Sequence, residues 1–380
     1  MGKFKNKLLD LSAIGIADVS ASAISAVFWF YIASLIGPDN YGEITYFLSI
    51  AGVTSAISML GAHNTLIVYS AKNVKIQPAM YVLTLMVGSV ASLIIFVIFF
   101  SIGTSFLILG YIIFGLVTSE LIGRKLFRSY ARYVIIQRVL SISLAIGLYY
   151  ILGNEGILIG MAISFAPYVI WIIKGFRKSR ISFGLVKDRF PFIINNYFLT
   201  LSGALHGSLD KLLIAPLFGF AILGNYSLGI QFNFLLQIIP QIVGKYIIPY
   251  DSTGVENKKL KKIIILISVV LAILGFSIGP TVISFFFPKF TEAENVIRII
   301  SWAIIPATIS TVYQSRFLGR EQSRKVLYMS ISGVTTQIIA IIVLGKLFDV
   351  NGVAAALVLA NSANAVYAIL SEKLDSIINK

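Results

Sequence analysis

Lysine and arginine are concentrated in every second gap between long apolar stretches, and that alternation leaves few folds open to the chain. The stretches run over 11–36, 41–69, 79–101, 104–123, 131–152, 156–173, 190–218, 223–248, 263–287, 294–315, 326–345 and 352–370. Most are near or above the roughly 20 residues that cross a hydrocarbon core as a helix. With the N-terminus placed in the cytoplasm, the cytoplasmic gaps and tails hold 25 of the 31 Lys and Arg residues; the outer gaps hold only Lys289 and Lys346. Arg138, Lys211, Lys245 and Arg298 fall inside stretches. One missed or invented span would invert every later gap, so the alternation argues for twelve crossings. The predicted fold class is an all-α integral membrane protein of twelve transmembrane helices in the cytoplasmic membrane, with both termini cytoplasmic.

Composition fits no soluble alternative. The chain is 57% hydrophobic and 12% charged, against about 45–50% and 25% in soluble domains. A net charge of +15 would favour nucleic acid in a soluble protein, but its placement in alternate gaps makes it a topology signal, and no nucleic-acid partner is expected. The absence of cysteine excludes disulfides, thiolate metal sites and thiol catalysis. His63 and His206 are too few for a His-rich metal site. No catalytic residues, metal or cofactor are expected. Three lysines before the first stretch resemble a signal-peptide n-region, but the stretch is too long and contains Asp18, so it reads as a span.

The halves repeat weakly. Leu35-Ile36-Gly37 with Tyr41-Gly42 matches Leu217-Phe218-Gly219 with Gly224-Asn225-Tyr226, 182 residues on. Asn154-Glu155-Gly156 and the following run match Val350-Asn351-Gly352, 196 residues on. Two six-helix lobes of the same orientation are therefore expected, 1–173 and 190–380, joined by a basic cytoplasmic linker at 174–189; internal duplication of this kind is common in secondary transporters.

Three spans carry polar stripes at helical spacing: Asp18, Ser22, Ser25 and Trp29; Asn195, Ser202, His206 and Asp210; and Asn233, Gln237, Gln241 and Lys245. Each set lies on one helical face, and such a face is costly against lipid. Ser, Asn and Gln there can be interhelical glue, whereas Asp18, Asp210 and Lys211 point to a solvated path. Adjacent residues diverge by about 100° on a helix, so Lys211 is expected to pair with another helix or to snorkel outward. Arg138 and Arg298, placed about one turn inside their spans, read as interfacial anchors or phosphate-binding cations. Glu120 reads as an anchor or cap, His63 as an interfacial histidine, and His206 with Asp210 as a possible proton relay.

The whole chain resembles the polysaccharide-biosynthesis (O-antigen flippase) transporters of the multidrug/oligosaccharidyl-lipid/polysaccharide (MOP) superfamily. The likeness is carried by Leu35-Ile36-Gly37-Pro38-Asp39-Asn40-Tyr41-Gly42, by Asp210-Lys211-Leu212-Leu213-Ile214 with Gly219 and Leu223-Gly224-Asn225-Tyr226-Ser227, and by Gly352-Val353-Ala354-Ala355-Ala356. The resemblance implies a cavity lined largely by helices 1, 2, 7 and 8. It also implies flipping of a polyprenyl-(pyro)phosphate-linked oligosaccharide by alternating access. The expected cavity residues are Asp18, Ser22, Ser25, Asn195, His206, Asp210, Lys211, Asn233, Gln237 and Gln241. The phosphate-binding candidates are Arg138, Lys211 and Arg298, and the residues for H+ or Na+ coupling are Asp18 and Asp210. Deep charges are few and include acids, a departure from the arginine-rich cavities of that family. Function as a monomer among membrane lipids is expected. The rival readings are a cation-coupled exporter of drugs or small metabolites with the same fold, and a membrane glycosyltransferase or polymerase, which the short outer gaps disfavour.

Overall fold

The computed structural model describes residues 22–178, 181–252, 258–320 and 322–378, and every regular element among them is helical. The order is α1 (Ser22–Ile36), α2 (Pro38–Ser58), α3 (Ala62–Ala71), α4 (Gln77–Phe99), α5 (Ile102–Gly123), α6 (Phe127–Leu152) and α7 (Asn154–Ile163). It continues with α8 (Ala166–Lys178), α9 (Gly184–Lys187), α10 (Phe190–Phe218), α11 (Phe220–Ser252), α12 (Lys258–Phe286), α13 (Ala293–Ser301), α14 (Ile304–Gly319) and α15 (Ser323–Ile378).

These helices follow the twelve expected stretches. α2 and α3 form one path bent by 51° at Leu60 and Gly61, both at positive φ, and α13 and α14 form another bent by 41°. α7 and α8 run as one span, Asn154–Phe176. α15 is two helices that meet at non-helical Phe348 and Asp349. α4 buries only 17% of its apolar window, whereas α5 buries 61% of its own and forms the centre around which its neighbours pack. Exposed Met86, Val90, Leu93 and Val97 on α4 are what contact with acyl chains requires.

The repeat is present in backbone detail. Gly37 and Gly219, 182 residues apart, both hold left-handed backbone (φ 79° and 90°), where a side chain would be strained. Gly42 and Gly224, again 182 apart, let the starts of α2 and α11 cross. A Cβ at Gly42 would stand 1.9 Å from the Phe220 carbonyl oxygen, and one at Gly224 would stand 1.8 Å from that of Pro38. One turn further, Thr45 and Ser227, also 182 apart, share a 3.2 Å hydroxyl hydrogen bond. At the other offset, Gly153 and Asp349 occupy the same positive-φ turn, φ 63° and 48°. The glycines after them, Gly156 and Gly352, lie against the carbonyls of Leu148 and Leu344, themselves 196 residues apart.

The described chain forms two compact units. One is 22–29 with Tyr46–Leu209, and the other is Phe30–Thr45 with Asp210 onward. Their limits fall within α1, α2 and α10.

Candidate functional site

In the second unit, α10 and α11 form a hairpin closed at Gly219. Asp210, nine residues before that glycine, and Tyr226, seven after it, therefore reach the same depth, about 10–13 Å from the turn. Asp210 is 7% exposed and Tyr226 fully buried. The Tyr226 hydroxyl donates to Asp210 Oδ2 at 2.9 Å, and the amide of Gln337, buried on α15, hydrogen-bonds to the same hydroxyl. The other carboxylate oxygen, Oδ1, accepts from the Lys211 backbone N–H at 2.8 Å and from Lys211 Nζ at 3.3 Å. Lys211 is therefore neither paired only with a distant helix nor snorkelled away. Its four-carbon stem is long enough to curl across the 100° that separates it from Asp210, and at this depth the attraction outweighs the torsional cost. Seven residues after Tyr226, on the same face of α11, Asn233 is buried with its Oδ1 unpartnered. Asn225, also buried on α11, donates to the Ala221 carbonyl at 3.0 Å and to Glu292 at 3.4 Å.

In the first unit, the expected cap Glu120 is instead a buried clamp, 1% exposed. It accepts from the Tyr81 hydroxyl of α4, from Trp171 Nε1 of α8 at 2.8 Å, and from Arg124 one turn on at 2.5 Å. One carboxylate thus ties three helices together. The next residue back, Ser119, bonds to His63 Nδ1 at 2.7 Å, so His63 is a half-buried partner of α5.

Arg138 stands eleven residues, about 17 Å, along α6, which begins at Phe127, four residues before the apolar stretch does. Its Nε is buried without a hydrogen-bond partner, and among the described residues it forms no ion pair. Its charge acts on Tyr111 and on Tyr168, and the Tyr168 hydroxyl is buried and equally unpartnered.

The remaining expected positions divide. Asp18 and the side chains of His206 and Gln241 lie outside the described residues. Ser25 has a buried, unpartnered hydroxyl; Ser22, Asn195 and Ser202 are exposed and Gln237 is half-buried. Arg298 is exposed at the last turn of α13 and lines an apolar groove. Of the named set, the structure brings together Asp210 and Lys211, and it adds Tyr226 and Gln337, which the polar stripes did not single out. Tyr226 belongs to the turn motif that carries the resemblance; Gln337 is a solitary amide in an apolar run, the one signal that pointed to it. Nothing in the spacing of Tyr81 and Trp171 marked them.

No family model matches the sequence, and no curated protein sequence matches it. Solved structures do match its fold. The lipid II flippase MurJ in an inward closed conformation superposes with a TM-score of 0.74 at 16% identity, covering 95% of this chain and 87% of that one. A multidrug resistance MATE family transporter of the MOP superfamily, inward-facing, gives 0.70 at 14% identity over 94% of each chain. An outward-facing form of a MATE family transporter gives 0.57 at 14%, over 96% and 93%. The long apolar helices, the duplicated turns at Gly37 and Gly219, and these superpositions over nearly the whole length identify the chain as an all-α integral membrane protein with the MOP transporter fold.

Proposed function

We propose that the protein flips a lipid-linked oligosaccharide, held by its polyprenyl phosphate or pyrophosphate, across the cytoplasmic membrane by alternating access of its two six-helix lobes. The observation that carries this reading is Arg138: a charge that cannot be neutralised, about three turns into the apolar helix α6, with its Nε buried and no carboxylate partner among the described residues. Such a group is costly unless an anion or water meets it. A phosphate supplies that anion, and a cationic drug does not. Asp210 is the acid through which an H+ or Na+ gradient would act, together with Asp18. Protonation of Asp210 removes the charge that its Oδ1 presents to the Lys211 ammonium. Sugars need only hydroxyl and amide contacts, which Asn233 and Gln237 beside Asp210 in the second unit offer.

The test uses a short-chain prenyl diphosphate carrying one N-acetylhexosamine, with binding to the purified protein followed by thermophoresis. Arg138→Gln is expected to weaken binding at least tenfold, the scale of one lost charge-assisted hydrogen bond, while ethidium does not bind. If the wild type binds ethidium in competition with protons and ignores the diphosphate, the exporter reading replaces this one.

A further inference from the structure

The second unit carries an open groove of about 410 Å³ lined by Phe276 on α12, Arg298, Ile299 and Trp302 at the end of α13, and Ala355, Val358 and Leu359 on the second half of α15. It adjoins at Ala355 a second hollow of about 490 Å³, lined by Leu344, Phe348, Asp349, Asn351 and Gly352. The chemistry is ordered along it. Asp349 is exposed at the kink of α15, and Asn351 beside it has a buried Oδ1 with no partner. About 8 Å along α13 from its start stands Arg298, exposed and in no ion pair among the described residues. The nearest carboxylate on its own helix, Glu294, is engaged by Ser284 at 2.7 Å. Beyond it the walls are apolar, with the Phe276 and Trp302 rings 5.8 Å apart. From the membrane face inward, the order is therefore acid and amide acceptor, guanidinium, aromatic rings and aliphatic side chains.

That order matches one kind of molecule. We propose that this groove binds a zwitterionic aminophospholipid of the phosphatidylethanolamine type. Its phosphate meets Arg298, its primary ammonium meets the Asp349 carboxylate and Asn351 Oδ1, and its acyl chain lies along Phe276, Trp302, Val358 and Leu359. A helical side chain leans toward the N-terminus of its helix, so Arg298 leans toward the headgroup level, as a snorkelling arginine does. A tryptophan one turn below suits the interface. An anionic headgroup would satisfy Arg298 but leave Asp349 facing like charge, and a choline headgroup has no N–H to give the two acceptors. The other nearby cation, Lys346, is exposed three residues before Asp349. The inference does not rest on the transported substrate.

Native mass spectrometry of the full chain in detergent, with phosphatidylethanolamine, phosphatidylglycerol and phosphatidylcholine added in equal amounts, tests it. The wild type is expected to retain phosphatidylethanolamine about fivefold over the other two, the scale of one exposed charge pair. Arg298→Gln lowers that retention by a similar factor, Asp349→Asn brings it down to the phosphatidylglycerol level, and Lys346→Gln leaves it unchanged. Equal retention of the three lipids by the wild type, no loss in Arg298→Gln, or an equal loss in Lys346→Gln would overturn the proposal.

Discussion

Replacing Glu120 by alanine removes the only group that three donors share. Tyr81 is fully buried and cannot turn to water, and the half-buried Trp171 does so only in part. Each stranded donor costs about 1–3 kcal/mol. Arg124, 34% exposed on its side chain, rehydrates at little cost and contributes less. The sum for Glu120→Ala is about 4 kcal/mol, in line with breaking a buried ionic cluster from one side. Glu120→Gln keeps a carbonyl oxygen with two lone pairs for Tyr81 and Trp171 and loses only the charge, a cost of about 1–2 kcal/mol. At roughly 2–4 °C per kcal/mol for a unit of this size, alanine lowers the melting temperature by about 12 °C and glutamine by about 4 °C. The assay is the fraction of monodisperse protein surviving a heating series in detergent, read by size exclusion. Equal melting of Glu120→Ala and the wild type would refute the idea that this carboxylate fastens α4, α5 and α8 together. Equal melting of the two variants would show that the charge, and not the acceptor geometry, matters.

Two further outcomes follow from the backbone. Gly224→Ala puts a methyl 1.8 Å from a backbone oxygen of Pro38, which no rotamer relieves, so the crossing of α2 and α11 parts at a cost of about 3 kcal/mol or more. Gly147→Ala, with open space around its Cβ on helix α6, instead stabilises by about 0.5–1 kcal/mol; the yield of folded protein distinguishes the pair. Asp349→Gly relieves a non-glycine residue of φ 48° and ψ −131° and is expected to raise the melting temperature by a few degrees, since so sparsely populated a backbone costs an ordinary residue about 1–3 kcal/mol; an unchanged or lower value would contradict the strain.

Much of the architecture was legible in the chain because its causes are one-dimensional. Apolar length, the placement of Lys and Arg and the two repeat offsets are read along the sequence, and between α2 and α14 the helices begin and end within about five residues of the expected stretches. Gly37, Gly42, Gly219 and Gly224 stood out as motif residues before their reason was visible. That reason is three-dimensional: two turns at positive φ and two helix starts whose backbones touch. Helix limits read from hydropathy alone start α6 four residues late, because its polar first turn, Phe127 to Tyr130, is helical without being apolar.

Polar stripes told which side of a helix a residue occupies, not what stands opposite. Asp210 and Lys211 diverge by helical geometry yet share an oxygen, because a lysine stem can double back where charge is poorly solvated. Glu120 sits at a span end, where a cap is the ordinary expectation, and only the packing of α4 and α8 against α5 brings it a phenol and an indole.

By itself, the order of residues determined that the chain is a duplicated bundle of membrane helices and where those helices turn. Which charges are paired, and which, like Arg138 and Arg298, have no ion pair among the described residues, was decided only by the tertiary structure. Helix rotation and side-chain reach set those pairings, and neither is encoded in hydropathy or spacing.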